Sequence, residues 1–198
     1  MGAILQSLSR TVIAGVVLLV VIILIVGKAT GTWIAIDTHA WWAFFFRWLH
    51  VISGVMWIGL LWYFNFVQTP AMPKIPDEQK PAVSKVIAPS ALFWFRWAAL
   101  STVVTGLILA TMNQYLVQGL SLQRPFTAIG LGMWFGLIMA FNVWFIIWPN
   151  QKKVLGMVTV AADEKAAAGR KAALASRLNT LMSIGLLYFM VAQQNGGL

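Results

Sequence analysis

The sequence predicts an all-α fold, a polytopic transmembrane bundle of about five spans. Three observations carry that expectation. The chain is 60% hydrophobic and only 10% charged over its 198 residues. Its apolar runs are long enough to cross about 30 Å of hydrocarbon as helices, which satisfy their own backbone groups in lipid. Aromatic residues are plentiful, with 11 Trp and 12 Phe, and several flank the apolar runs as interfacial belts do. A single integral-membrane domain over residues 1–198 is expected.

The first apolar run extends from about Thr11 to Ala29. Leu19 to Val26 continues it without a small-residue cleavage site, so a retained helix is expected rather than a secretory signal. The second runs from about Phe44 to Gln68. Pro70, Pro73 and Pro76 are expected to stop it, because proline lacks a donor and crowds the preceding turn. The third covers about Val86 to Met112, with Pro89 tolerable near its start. The fourth begins at Pro125 or Phe126 and stops at Pro149-Asn150. The fifth is short, about Leu178 to Gln193. Before it, Ala161 to Leu174 is rich in helix formers with a weak apolar face. That segment either lies along headgroups or extends the fifth helix into solvent, and the extension is expected. Gly31 to Ala43 is the main outer loop, carrying Trp33, Asp37, His39, Trp41 and Trp42.

The formal charge of +9 sits in short segments between the spans. The positive-inside rule accounts for it better than nucleic-acid binding does. The basic linker, residues 151–177, carries Lys152, Lys153, Lys165, Arg170, Lys171 and Arg177 against Asp163 and Glu164. Placing it in the cytoplasm puts Arg10, Lys74, Lys80 and Lys85 there too, leaving Lys28, Arg47 and Arg124 on the opposite side. The expected topology is multi-pass in a bacterial inner membrane, with the N-terminus cytoplasmic and the C-terminus outside. There is no cysteine, which excludes disulfides, thiolate nucleophiles, Cys-ligated clusters and c-type haem attachment. No phosphate-binding loop or dinucleotide fingerprint occurs.

Arg47, His50, Gly54, Trp57, Leu61 and Asn65 fall near one stripe of the second helix by three- and four-residue spacing. An imidazole in lipid is costly unless a partner uses it. A haem needs an imidazole nitrogen for iron, a thin surface for the macrocycle and a cation near its propionates. His50, Gly54 and Arg47 supply those three features in principle. A histidine bonded to another helix, with a glycine serving close packing, explains the same residues. On a helix His39 and His50 would lie about 16 Å apart, so His39 could join only through a folded-back loop. Met133, at similar depth in the fourth helix, is another candidate ligand, and a five-coordinate iron is a further one.

Arg96 lies well inside the third span and requires hydrogen bonds, an anion or a snorkelling route. With Asn65 and Asn142 it could form an interhelical polar cluster, binding a substrate anion or quinone carbonyl or acting as structural glue. Glue is the expectation. Gly130, Gly132 and Gly136 offer close packing on the fourth helix. All five acids lie outside the expected spans, which argues against two-metal catalysis or an intramembrane carboxylate relay.

Two segments carry a family resemblance. One is Arg47-Trp48-Leu49-His50-Val51 with Gly54 and Trp57-Ile58-Gly59; the other is Asn142-Val143-Trp144-Phe145-Ile146-Ile147-Trp148-Pro149-Asn150-Gln151. Together they resemble the membrane domain of the bacterial urate oxidase family, the cytochrome c-linked urate hydroxylases, over roughly residues 44–195. The second-helix pattern alone is also similar to haem-binding, membrane-bound protoporphyrinogen oxidase-like proteins. The chain departs from the urate oxidase family in having no Cys-x-x-Cys-His sequence and in being shorter than the larger membrane domains, so a short form lacking the cytochrome c domain is expected. The resemblance further implies oxidative purine chemistry with electrons passed to a cytochrome c. Taken with His50, Arg47 and Gly54, it gives the expectation of a membrane redox protein associated with haem b, its substrate unassigned. The alternative is a non-catalytic accessory or structural subunit of a larger membrane complex. Expected partners are the lipid bilayer, a cytochrome c or larger complex, and further copies of the chain, but not nucleic acid.

Overall fold

The computed structural model describes residues 2–197, which are helical with short connections and, among the described residues, contain no strand. Among the described residues five helices are long and apolar enough to cross a membrane: α1, Leu8–Thr30; α2, His39–Lys74; α3, Lys80–Met112; α4, Thr127–Val154; and α5, Ala162–Asn195. Contacts divide the chain into two compact units, residues 1–42 and 43–198.

In the first unit, α1 is built almost wholly from exposed Val, Leu and Ile. It ends at Gly31, whose φ of 69° is the left-handed conformation that caps helices. Thr38 then starts the next helix by accepting a hydrogen bond from the Trp41 N–H at 3.2 Å. This cap explains why α2 begins at His39 rather than at Phe44, and why the loop ends earlier than its sequence suggests.

In the second unit, proline does not terminate the helices as expected. α2 passes Pro70 and ends as a 3₁₀ turn, Met72–Lys74. α4 likewise passes Pro149 and reaches Val154. Each crossing is prepared by a π-helical turn: Tyr63–Gln68 before Pro70, Val83–Ile87 before Pro89, and Asn142–Ile147 before Pro149. A proline ring collides with the carbonyl four residues back. Those carbonyls belong to Phe66, Lys85 and Phe145, each inside a π turn. Widening the turn moves the carbonyl aside and lets the helix continue.

α5 lacks proline and is one unbroken 34-residue helix. It starts sixteen residues before the expected Leu178, so the alanine-rich segment does extend the fifth helix. Only part of that extension is solvated: Ala168, Ala172 and Ala175 are buried at helical spacing. Asp163 and Glu164 occupy its first turn, where carboxylates favour the helix dipole. Glu164 also pairs with Lys153 at 2.6 Å.

The core of this unit joins Trp57 and Leu61 of α2, Phe95 and Ala99 of α3, Met139 and Val143 of α4, and Leu186 of α5. Small residues set the close approaches. A Cβ on Gly130 would overlap the Gly119 carbonyl of the short helix Leu116–Leu120, so that helix rests directly on the start of α4. Gln193 of α5 secures the same region. Its Oε1 accepts from Ile129 N–H at 3.2 Å, and its Nε2 donates to Pro125 O at 2.9 Å.

Candidate functional site

Within residues 43–198 the inner face of α2 borders a cavity of about 640 Å³. Arg47, His50, Gly54 and Trp57 line it from α2, and Thr102 and Gly106 from α3. Met133 of α4, Met190 of α5 and Tyr115 of the intervening connection complete the parts used below. The volume lies within the usual range of small-molecule and cofactor sites, roughly 300–1,000 Å³.

His50 is held from one side. Its Nδ1 lies 2.8 Å from the Thr102 carbonyl oxygen. A carbonyl can only accept, so Nδ1 carries the proton and Nε2 keeps its lone pair. That carbonyl belongs to an ordered turn: Thr102 Oγ1 donates to Ala98 O at 2.7 Å, and Thr105 Oγ1 to Ser101 O at 2.6 Å. Ser53 and Ser101 hydroxyls, 2.8 Å apart, tie the same helices alongside. Gly106 makes room for the ring, since a Cβ there would lie 2.8 Å from His50 Cε1 and 3.0 Å from Nδ1.

Tyr115 lines the cavity near Arg47. It stacks on Phe126 with centroids 5.4 Å apart and planes at 18°. Burial raises the pKa of its hydroxyl, and the Arg47 charge partly opposes that rise. The phenol is therefore a neutral hydrogen-bond donor at physiological pH.

The structure brings Arg47, His50, Gly54 and Met133 to one cavity. His39 is instead the first residue of α2, and it belongs to the unit of residues 1–42. Arg96, Asn65 and Asn142 do not meet as a triad. Asn142 Nδ2 donates to Asn179 Oδ1 at 2.8 Å, and Asn179 Nδ2 to Met139 O at 2.9 Å. Asn65 Nδ2 donates to Ser176 Oγ at 2.8 Å and to Leu61 O at 2.9 Å. Arg96 donates from Nη1 to Leu92 O at 3.2 Å and lies 3.5 Å over the Trp148 ring. α5 supplies each asparagine with a polar partner of its own, Ser176 for Asn65 and Asn179 for Asn142.

Sequence reasoning missed Thr102, Gly106 and Tyr115. The first two had a detectable signal, because Thr102, Thr105 and Gly106 share one helical face by spacing. Ser176, Asn179 and Ser183 form a similar polar stripe on α5. Ser183 Oγ accepts from Trp62 Nε1 at 2.9 Å. Tyr115 had no comparable signal, because its place depends on how the connection folds over the bundle.

Among the described residues no group of three His, Cys, Asp or Glu side chains could hold a metal ion. The cavity therefore offers one imidazole ligand, thin glycine walls and a cation. Comparison with known families then gives one finding. Residues 123–196 match the family described as urate oxidase N-terminal. The match covers all of α4 and α5, including Asn142–Gln151, and supports a urate-oxidase-related origin for that part of the chain. It does not include α2 and His50. Comparisons with curated proteins and with solved structures found no match.

Proposed function

We propose that this chain is a membrane-embedded haem protein of redox function, related to the urate oxidase family through α4 and α5. The observation that carries the reading is the state of His50. Its Nδ1–H is fixed on the Thr102 carbonyl, and its Nε2 lone pair remains for a ligand. Metal-binding histidines usually carry this kind of outer hydrogen bond, which sets the tautomer and raises ligand basicity. A porphyrin supplies four nitrogens to its own iron, so one imidazole suffices where a bare ion needs a cluster.

The remaining lining residues fit a b-type haem. Gly54 leaves the cavity wall thin enough for a flat ring, and the apolar lining excludes water. Arg47 and Tyr115 offer a cation and a neutral donor for carboxylate groups. Met133, which lines the same cavity, would offer a thioether as a further iron ligand beside the His50 imidazole. A haem bound there would supply one-electron transfer or small-ligand binding. Electrons would pass to a cytochrome c or to a partner in a larger membrane complex, as the family resemblance implies. Oxidative purine chemistry is the reaction class it suggests. The basic segments favour a bacterial inner-membrane protein with its C-terminus outside.

Optical spectra and haem-to-protein ratios of detergent-purified protein, expressed with sufficient haem, test the reading. The wild type should carry haem, and His50→Ala should lose most of it while remaining membrane-inserted. The His50–Thr102 bond also favours a second reading, in which His50 only ties α2 to α3 in a non-catalytic subunit. A folded wild type without haem would establish that reading instead.

A further inference from the structure

The geometry points to a second site, for the phosphate of an anionic phospholipid, between α3 and α4, where Arg96 and Lys152 converge on Trp148. Arg96 is the midpoint of α3. Its guanidinium carbon lies 3.5 Å from the Trp148 ring centroid, and Lys152 Nζ lies 5.8 Å from the same ring. Trp148 and Lys152 are one turn apart on α4, so the two helices bring two cations to one indole. Cation–π contact favours this arrangement but does not neutralise it.

The cations need an anion that the chain does not provide. Among the described residues the Arg96 guanidinium makes one hydrogen bond, to Leu92 O, and its Nε is buried without a partner. The chain has five acids. Asp77 is paired with Lys80 and Glu164 with Lys153, and no carboxylate among the described residues contacts Arg96 or Lys152. A guanidinium at mid-span is costly unless it is paired or reaches an interface. Long side chains lean toward the helix N-terminus, which directs Arg96 toward the Lys80 end of α3. α4 ends there too, with Lys152 and Lys153.

The surrounding surface matches the rest of a lipid. Phe93, Trp97 and Phe145 are large, apolar and 47%, 47% and 68% exposed. Phe93 lies 6.0 Å from the Arg96 guanidinium and Trp97 stacks edge-on to Trp144. Acyl chains can lie over these aromatics while the phosphate accepts hydrogen bonds from Arg96 and Lys152. A free anion would use only the charged part of this surface. Basic pockets between transmembrane helices bind anionic headgroups by the same physics.

Thermal unfolding of the detergent-purified full chain tests the proposal. At a tenfold excess over its Kd, phosphatidylglycerol should raise the melting temperature by about 3–6 °C relative to phosphatidylcholine. Inorganic phosphate at the same concentration should give no such shift. Arg96→Gln and Lys152→Gln should each lose at least half of the difference between the lipids. Lys171→Gln, which removes an exposed charge from α5, should keep it. If Arg96→Gln does not fold, Lys152→Gln alone decides. Equal shifts with both lipids, reproduction of the effect by phosphate, full retention in the site variants, or equal loss in Lys171→Gln would each overturn the proposal.

Discussion

Replacing Gly106 with alanine should displace His50 and, under the proposed haem-binding function, weaken haem retention with little change in stability. An added Cβ would sit 2.8 Å from His50 Cε1, whereas an ordinary contact begins at 3.4 Å, so the ring must retreat by about 0.6 Å. A retreat of that size away from Thr102 stretches the 2.8 Å Nδ1···O bond beyond the usual 3.2 Å range. Losing a hydrogen bond of this kind costs about 0.5–1.5 kcal/mol. Alanine in a helix recovers about 1 kcal/mol relative to glycine. The two terms nearly cancel, so the melting temperature should move by less than about 3 °C. Ligand binding depends on ring position and has no such compensation. The haem-to-protein ratio should therefore fall and the optical spectrum should change. Gly54→Ala is the comparison: its Cβ meets only Thr102 Cγ2, at 3.9 Å, so the packed helices accept it. It should reduce haem retention only by narrowing the cavity, with His50 undisturbed. Full haem content and an unchanged spectrum in Gly106→Ala would refute the argument that Gly106 sets the imidazole position.

Other expectations follow from the same contacts. Asn179→Leu should lower the melting temperature in detergent, because Asn142 and Met139 O lose their partner; membrane hydrogen bonds of this kind contribute about 0.6 kcal/mol on average. The Asn142→Leu, Asn179→Leu double variant should recover part of that loss, since no buried amide is then stranded. Tyr115→Phe should flatten the alkaline limb of the stability profile. The raised Tyr115 pKa makes the folded state hold its proton more tightly, so wild-type stability falls as pH rises above about 10. Thermal unfolding from pH 9 to 11 measures the difference between the two proteins. With no native cysteine to interfere, single cysteines at Ala167 and Gly197 should label from the cytoplasmic and outer sides respectively; labelling from one side only would remove a span.

The helices were legible in the sequence because apolar length and helix propensity are local properties. Their ends were less so. Pro70 and Pro149 read as stops, yet the preceding π turns let both helices continue. The alanine-rich segment before Leu178 could not reveal burial of Ala168 and Ala172, because its sequence shows no strong apolar face. The candidate site was partly legible. Three- and four-residue spacing put Arg47, His50 and Gly54 on one face, and Met133 was a reasonable candidate by depth. Spacing could not assign partners to Arg96, Asn65 and Asn142, which were grouped because each was an isolated polar residue in an apolar span.

By itself, the sequence determined five long apolar helices, a concentration of basic charge between them and a membrane-depth histidine, His50, on a glycine-bearing face of α2. Those properties arise within one segment and survive any arrangement of its neighbours. Only the tertiary structure decided that His50 Nδ1 meets Thr102, that Gly106 yields space to the ring, and that α5 separates the polar groups into pairs. Each depends on two helices crossing at a particular depth and rotation. An error of one residue, about 100° around a helix, would turn any of these side chains away from its partner.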